Sequence, residues 1–156
     1  MFEIVTTIDI DAKPSRVWNA LTDFAHFPDW NPFVRYVEGE PRAGERLRVT
    51  IAPPGGRQMT FTPTILAADT TRELRWIGRL GFRGLFDGEH YFKIEPQGPA
   101  GSRFVHGERF TGLLVPFLRK SLDRNTRAGF DAMNRALKDR VETRGMTTGR
   151  FKVPNA

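Results

Sequence analysis

The feature that most constrains this chain is a segment of about 30 residues with helical periodicity near the C-terminus. From about Leu114 to Arg144, apolar residues recur on one stripe and charged residues on the opposite face. At 1.5 Å per residue, a helix of this length is roughly 45 Å long. In a small domain it must bury its stripe against another layer of secondary structure, which the strand patterns described next predict to be a sheet. The predicted inward stripe comprises Leu118, Leu122, Phe130, Met133, Leu137 and Val141, and Gly145 is predicted to end the helix.

The segments before this helix indicate strands. Residues 2–11 alternate between apolar and polar side chains, which is typical of a half-buried strand. A short helix follows, with Pro14 near its first position. From Phe33 to Gly112 every segment has the pattern of strand and turn. Because strands joined by short turns form antiparallel sheets, we predict an α+β fold with its helices on one face of the sheet.

The connection between the first helix and the second strand has an unusual composition. Its sequence is FAHFPDWNPFV, from Phe24 to Val34, and Pro28 and Pro32 exclude a continuous helix or a central strand. We predict a structured corner that is anchored to the sheet by Phe27, Trp30 and Phe33. Phe24 and His26 are predicted to lie nearer an open rim, where they would gate a cavity.

The apolar stripe of the long helix is interrupted midway by Asn125, Thr126 and Gly129. Glycine inside a helix is less favourable than alanine by about 1 kcal/mol, so its presence calls for a reason. One interpretation is a cavity between helix and sheet that a ligand occupies. The other is that Gly129 lets a bulky strand residue such as Trp76 approach the helix backbone.

The last two strands place titratable groups on the inner face. If the turn QGPAG pairs Pro96 with Ser102, the outer face gains the pairs Glu95–Arg103 and Glu89–Arg109. The same register sets His90 opposite Glu108, Phe92 opposite His106 and Ile94 opposite Phe104. The three titratable groups would then form a satisfied buried cluster, polar contacts inside a ligand cavity, or an acid–base pair for catalysis.

Composition limits the classes of function that remain possible for this chain. The chain has no cysteine, which removes disulfides and thiolate chemistry, and its three histidines show no metal-ligand spacing, so we expect neither metal nor cofactor. The net charge is +6, concentrated toward the C-terminus. A solvated helix face explains this charge, with weak contact to an anionic membrane surface as an alternative. No nucleic-acid-binding motif is present.

We expect one domain over residues 1–144 and a flexible basic tail over 145–156. We also expect a cytoplasmic location, because the N-terminus lacks a signal peptide.

Three motifs carry a family resemblance: AKPSRVWNALTDF, FPDWNPFV and FVHGERFTGLL before the long helix. Together they resemble the START-like (SRPBCC) superfamily, and within it the polyketide cyclase/dehydrase-like branch. The resemblance implies a helix-grip fold, in which a curved antiparallel sheet wraps the C-terminal helix and two short helices follow the first strand. It also implies a deep cavity for a hydrophobic ligand, and it implies no shared catalytic residues.

Two functions remain for this cavity. The first is binding or carriage of a hydrophobic or aromatic small molecule or lipid. The second is a cyclase/dehydratase-type enzyme that uses His90, His106 and Glu108 for proton transfer. The residues predicted to contact the ligand are Phe24, His26, Phe61, Trp76, His90, Phe92, Phe104, His106, Glu108, Phe110, Asn125, Gly129 and Met133.

Overall fold

The structure is a computed structural model that describes residues 1–147. Its strands are β1 (Phe2–Ile10), β2 (Val34–Glu38), β3 (Arg48–Ile51), β4 (Met59–Phe61), β5 (Thr64–Asp69), β6 (Glu73–Leu80), β7 (Phe86–Gln97) and β8 (Gly101–Thr111). Its helices are α1 (Pro14–Thr22), α2 (Phe27–Trp30) and α3 (Val115–Thr147), and a 3-10 turn spans Phe24–His26. Most of the predicted tail, residues 148–156, lies outside the described residues.

The strands form two antiparallel ladders that meet at one edge. Five strands pair in the order β1-β8-β7-β6-β5, and three pair in the order β2-β3-β4. The two ladders are joined by a bridge between Arg46 and Thr64. Backbone hydrogen bonds extend this junction, from Leu47 N to Pro63 O at 2.8 Å and from Ile65 N to Glu45 O at 2.9 Å. The antiparallel architecture predicted from the sequence is therefore confirmed.

The predicted register of β7 and β8 is confirmed throughout. His90 lies opposite Glu108, Phe92 opposite His106 and Ile94 opposite Phe104. On the outer face Arg109 contacts Glu89 at 3.2 Å. Arg103 lies opposite Glu95 as predicted, but its guanidinium forms its ion pair with Asp9 on β1, at 2.9 Å. A central strand has neighbours on both sides, and Arg103 bonds to the neighbour that the sequence argument did not consider.

Helix α3 packs against the sheet with its C-terminal half. Phe130, Met133 and Leu137 are fully buried, and Val141 is 5% exposed. The N-terminal part of the predicted stripe differs, since Leu122 is only partly buried and Leu118 is 42% exposed. The placement of Leu118 in the packed core was therefore wrong. The helix also continues through Gly145 to Thr147, so Gly145 does not end it.

Gly129 provides space for an aromatic ring from the helix-to-strand corner. A Cβ atom at this position would stand 2.4 Å from a ring carbon of Phe33. Phe33 also packs edge-on against Phe130, with ring centroids 5.7 Å apart. The close approach of a bulky residue, one of the two interpretations of Gly129, is confirmed. The residue is Phe33, and the suggestion of Trp76 was wrong because Trp76 lies deeper in the sheet, against His90 and Phe92.

The corner that delivers Phe33 is held by Asn31, which is fully buried. Its Oδ1 accepts hydrogen bonds from the backbone N–H groups of Phe33 and Val34, at 3.1 and 2.9 Å. Arg35 donates to the backbone oxygen of Asn31 at 2.9 Å. These bonds replace the regular ladder that Pro32 interrupts. They also fix the direction in which the Phe33 ring enters the core.

We predict that Gly129→Ala destabilises the protein by up to about 2 kcal/mol. Overpacking a core costs typically 1–3 kcal/mol, and this exceeds the gain of about 1 kcal/mol that alanine normally brings to a helix. Urea denaturation measures the difference, with Arg124→Ala on the exposed face of α3 as a control expected within about 0.5 kcal/mol of wild type. If Gly129→Ala is stabilising, the Phe33 ring yields readily and the packing argument fails.

Candidate functional site

A cavity of about 570 Å³ lies between the sheet and the N-terminal half of α3. Its sheet side is lined by Gly78, Gly88, Glu108 and Phe110, and its helix side by Leu118, Ser121, Leu122, Asn125 and Thr126. Strands β3 and β4 contribute Ile51, Met59, Thr60 and Phe61. The lining residues Arg57, Met59, Leu80, Leu118 and Ser121 are exposed and mark its open side. Phe33, Gly88, Phe110 and Thr126 are buried and mark its deep end.

Two paired glycines explain why the cavity is open on the sheet side. Gly78 on β6 lies directly opposite Gly88 on β7, and both line the cavity. At the next inward-facing positions Trp76 lies opposite His90, and these rings fill the space between sheet and helix. A glycine in a strand interior often marks a place where another group approaches the backbone closely. The carboxyl of Glu108 uses this space, because a Cβ on Gly88 would stand 2.6 Å from its Oε1.

The predicted ligand-contact residues fall into three groups. Glu108, Phe110, Asn125 and Phe61 line the cavity. Seven others lie behind it as packed core or as backbone against Phe33, and none of them lines the cavity: Trp76, His90, Phe92, Phe104, His106, Gly129 and Met133. For the first group, contact with a ligand stays a prediction. The second group has no direct access to the cavity, so these residues are not positioned to contact a ligand there.

Phe24 and His26, the predicted gate, form the third group. Phe24 is 6% exposed and packs edge-on against Phe27, with ring centroids 5.4 Å apart. His26 is exposed, and its Nδ1 lies 2.9 Å from Asp23 Oδ1. Neither residue lines the cavity. Their placement at its rim was wrong, because the corner turns its aromatic rings into the core and only Phe33 reaches the cavity.

A chain of polar contacts leads from the deep end of the cavity through the core. Glu108 Oε2 lies 3.5 Å from His90 Nδ1, which is longer than an ordinary hydrogen bond. His90 Nε2 and His106 Nε2 are 2.7 Å apart. His106 Nδ1 and Asn134 Oδ1 are 2.9 Å apart, and Asn134 Nδ2 donates to Thr6 Oγ1 at 2.8 Å. Thr6 Oγ1 in turn donates to the backbone oxygen of His106 at 3.3 Å.

The orientation of Asn134, whose Nδ2 donates to Thr6, sets the direction of the hydrogen bonds through the two histidines. Because the oxygen of Asn134 can only accept, His106 carries its proton on Nδ1. A neutral His106 then accepts on Nε2, so His90 must donate from its own Nε2. A neutral His90 therefore presents a bare Nδ1, an acceptor, toward Glu108. All donors in the chain point away from the cavity.

Burial keeps these groups uncharged at neutral pH. Desolvation lowers the pKa of His106 to about 3, partly offset by its hydrogen bond with Asn134. Desolvation, with the neighbouring His106, places the pKa of His90 well below its ordinary value. Desolvation also raises the pKa of Glu108 to about 8. Glu108 and His90 are thus a neutral acid beside a neutral base, although their spacing would permit an ion pair.

Sequence reasoning missed several lining residues. Phe33 was predicted only as an anchor, yet it also closes the deep end of the cavity. Gly78 and Gly88 carried a readable signal, since both are glycines inside strand patterns. Pairing β6 with β7 from the sequence would have placed them opposite each other. The contributions of Ile51 and Met59 had no such signal, because they depend on how the three-stranded ladder folds over the helix.

A smaller cavity of about 180 Å³ lies near the other end of α3. It is lined in part by Arg16, Asn19 and Asp23 from α1 and its C-terminal end, Trp30 from α2, and Arg140 from α3. The FAHFPDWNPFV corner therefore borders this second cavity through Trp30 and the main cavity through Phe33. Of the helices in residues 1–147, none has the length and apolar character that a bilayer crossing requires.

Comparison with solved structures supports the fold. An aromatase/cyclase (Zhui) from Streptomyces sp. R1128 is 18% identical, with a TM-score of 0.77 and coverage of 95% of this chain and 98% of the other. A START superfamily protein from Mycobacterium smegmatis is 22% identical, with a TM-score of 0.70 and coverage of 90% and 97%. A norcoclaurine synthase point mutant from Thalictrum flavum, in complex with a transition-state analogue, is 14% identical, with a TM-score of 0.71 and coverage of 92% and 96%.

The molecule thus has the helix-grip fold of START-like structures, as the sequence motifs predicted. More specifically, residues 1–142 match the family described as polyketide cyclase / dehydrase and lipid transport, and the chain belongs to that family. Among functionally curated proteins, none matches the sequence significantly. At these identities the solved structures establish the fold alone, and the function has to be argued from the cavity.

The buried cluster predicts a specific dependence of stability on pH. The raised pKa of Glu108 contributes stability that is fully present below its ordinary value of 4.5 and is lost as pH rises toward about 8. The lowered pKa values of the histidines contribute stability that is present above 6.5 and is lost as pH falls. Between pH 7 and 8 the histidines of the unfolded chain are already mostly neutral, so the Glu108 contribution dominates and the free energy of unfolding should fall by up to about 1.4 kcal/mol per pH unit.

Chemical denaturation of wild type and Glu108→Gln across this range measures the effect. The glutamine variant should flatten the decline, because it removes the proton that the unfolded chain releases. Glu95→Gln, at an exposed position on β7, is the matched control and should keep the wild-type slope. Equal slopes in all three proteins would contradict a raised pKa at Glu108.

Proposed function

We propose that this protein binds or carries a hydrophobic or aromatic small molecule or lipid in the cavity between sheet and α3. The observation that carries the proposal is the cavity itself, about 570 Å³ in volume. Ligand pockets typically span about 300–1,000 Å³, with apolar walls and a few polar groups that orient the ligand. This cavity has aromatic and aliphatic walls and one carboxyl group, that of Glu108, toward its deep end.

The lining supports an apolar ligand with one polar end. Phe33, Phe61, Phe86 and Phe110 supply aromatic walls, and aromatic side chains provide large contact areas. Among the residues that line the cavity in the described part of the chain, Glu108 is the one acidic residue, while Arg57 and Arg79 lie at exposed positions. An aliphatic or aromatic body would fill the walls, and a polar group at its tip would meet Glu108.

Proton transfer by Glu108, as in cyclase/dehydratase chemistry, is the alternative for the same cavity. A raised pKa of about 8 on a carboxyl that lines a cavity favours it, since such values suit a general acid. The chain behind Glu108 gives less support. It ends on a backbone carbonyl oxygen of His106, which cannot take up a proton, so it orients protons without conducting them to solvent. The binding role needs no change of protonation and is preferred.

A large side chain introduced into the cavity should prevent a ligand from binding there. We expect wild type to bind the uncharged fluorescent probe N-phenyl-1-naphthylamine, and Asn125→Trp to weaken binding at least tenfold by placing an indole in the cavity. Arg135→Trp, on the exposed face of the same helix and away from the lining, is the matched control and should bind like wild type. Fluorescence titration measures both. No binding by wild type, or equal binding by both variants, would contradict the proposal.

The open side of the cavity supports contact with an anionic membrane surface. The β6–β7 and β8–α3 turns are joined by a hydrogen bond from Leu113 N to Gly84 O at 3.0 Å. These turns and the adjoining ends of β6 and α3 expose five apolar side chains, Leu80, Phe82, Leu113, Phe117 and Leu118, and two of them, Leu80 and Leu118, line the cavity. Residues 79–86 and 112–122 contain four basic side chains and no acidic one. Apolar side chains among basic ones are typical of surfaces that bind anionic lipid.

We expect this surface to bind vesicles that contain phosphatidylglycerol more strongly than vesicles of phosphatidylcholine alone. Replacing Phe82 and Phe117, which are 65% and 85% exposed, with serine should reduce the bound fraction several-fold in co-sedimentation. Leu66→Ser, at a 45% exposed position on β5, is the control and should have no effect. Equal binding to both vesicle types would contradict the proposed membrane contact.

A further inference from the structure

The carboxyl group of Glu108, the acidic group that lines the cavity within the described residues, has a defined hydrogen-bonding sense. His90 Nδ1 is a bare acceptor because the contacts of His106 and Asn134 fix the tautomers behind it. It lies 3.5 Å from Glu108 Oε2. A protonated Glu108 therefore faces an acceptor on the Oε2 side, at a distance somewhat longer than an ordinary hydrogen bond, and this contact favours Oε2 as the oxygen that carries the acid hydrogen.

The second carboxyl oxygen, Oε1, is directed elsewhere. It lies over Gly88, in the space that the missing side chain leaves, and Gly88 lines the cavity. Within the described part of the chain, no side chain or backbone N–H donates to this oxygen. With the acid hydrogen on Oε2, Oε1 is a carbonyl-type oxygen that can only accept a hydrogen bond.

We infer that the ligand carries a hydroxyl or N–H donor at the end that enters the cavity first, and that Glu108 Oε1 accepts this hydrogen bond. The inference rests on the proposed binding function and narrows its ligand class. An apolar molecule whose leading group is a phenol, alcohol or amine N–H fits the site. A ketone, ether or ester at the same end would leave two acceptors facing each other, and an unsatisfied buried polar group is unfavourable.

The preference of the cavity for a ligand with a hydrogen-bond donor follows from the same geometry. We call this preference for a hydrogen-bond donor on the ligand the donor rule. It depends on His90, because without its Nδ1 the acid hydrogen of Glu108 could rotate toward the ligand. Glu108 would then offer a donor, and a ligand ketone would be accepted. His90 therefore acts as a positioning residue that does not line the cavity.

Three ligands of equal ring size test this inference at pH 7. 2-Naphthol offers a donor, 2-methoxynaphthalene offers an ether oxygen, and 2-acetylnaphthalene offers a ketone. We expect wild type to bind 2-naphthol about tenfold more tightly than the other two, as measured by isothermal titration calorimetry. Equal affinity for all three, or preference for the ketone, would overturn the donor rule and leave the proposed binding function intact. Absence of binding by all three would overturn both.

Two variants test whether the ligand preference arises from Glu108 and His90. Glu108→Leu should bring 2-naphthol and 2-methoxynaphthalene to equal affinity, because it removes the acceptor. His90→Phe should raise the affinity for 2-acetylnaphthalene relative to 2-naphthol by several-fold, which a purely structural role of His90 would not do. Leu66→Ser, outside the cavity, should retain the wild-type order. Retention of the tenfold preference in Glu108→Leu would overturn the assignment to Glu108, and the wild-type series decides the question if His90→Phe fails to fold.

Discussion

The contact of α3 with the corner and the sheet at Gly129 and Phe130 determines the shape of the interior. Phe33 enters the space beside Gly129, and the ring of Phe130 stacks on His106 with centroids 3.7 Å apart. Beyond this point the C-terminal half of the helix packs on the sheet and its stripe is fully buried. Before it, the helix faces the glycine pair of the sheet across the cavity, and Phe33 is part of the cavity wall. One close approach thus divides a 33-residue helix into a packing half and a lining half.

The same region carries a buried polar chain in an otherwise aromatic core. Burying polar groups is unfavourable unless each finds a partner. Here His90, His106 and Asn134 satisfy one another in sequence, and the chain links β7 and β8 to α3 and, through Thr6, to β1. All of its members can remain neutral, so no buried charge needs compensation. The polar chain therefore stabilises one relative position of helix and sheet.

Much of this arrangement was predictable because it depends on local pattern. The register of β7 and β8 followed from the charges on the outer face, and it placed His90, His106 and Glu108 on the inner face correctly. The period of the sequence predicted the long helix. The partner of Gly129 and the position of the cavity were not predictable in this way. Sequence periodicity assigns a side chain to a face of the helix. It does not show which residue distant in sequence packs against that face, as Phe33, at the end of a proline-containing corner, packs against Gly129.

The cavity combines weak and strong sources of selectivity. Apolar walls discriminate poorly between ligands, since one methylene changes binding by only about 1–3 kcal/mol. A single buried polar group discriminates more strongly, because a ligand that leaves it unpaired is penalised. Gly78 and Gly88 contribute no side chains, so the Glu108 carboxyl group beside them is accessible from the cavity. In the proposed binding function, affinity comes mainly from the aromatic walls, and the hydrogen-bonding sense of the Glu108 carboxyl group selects among the ligands that fit those walls.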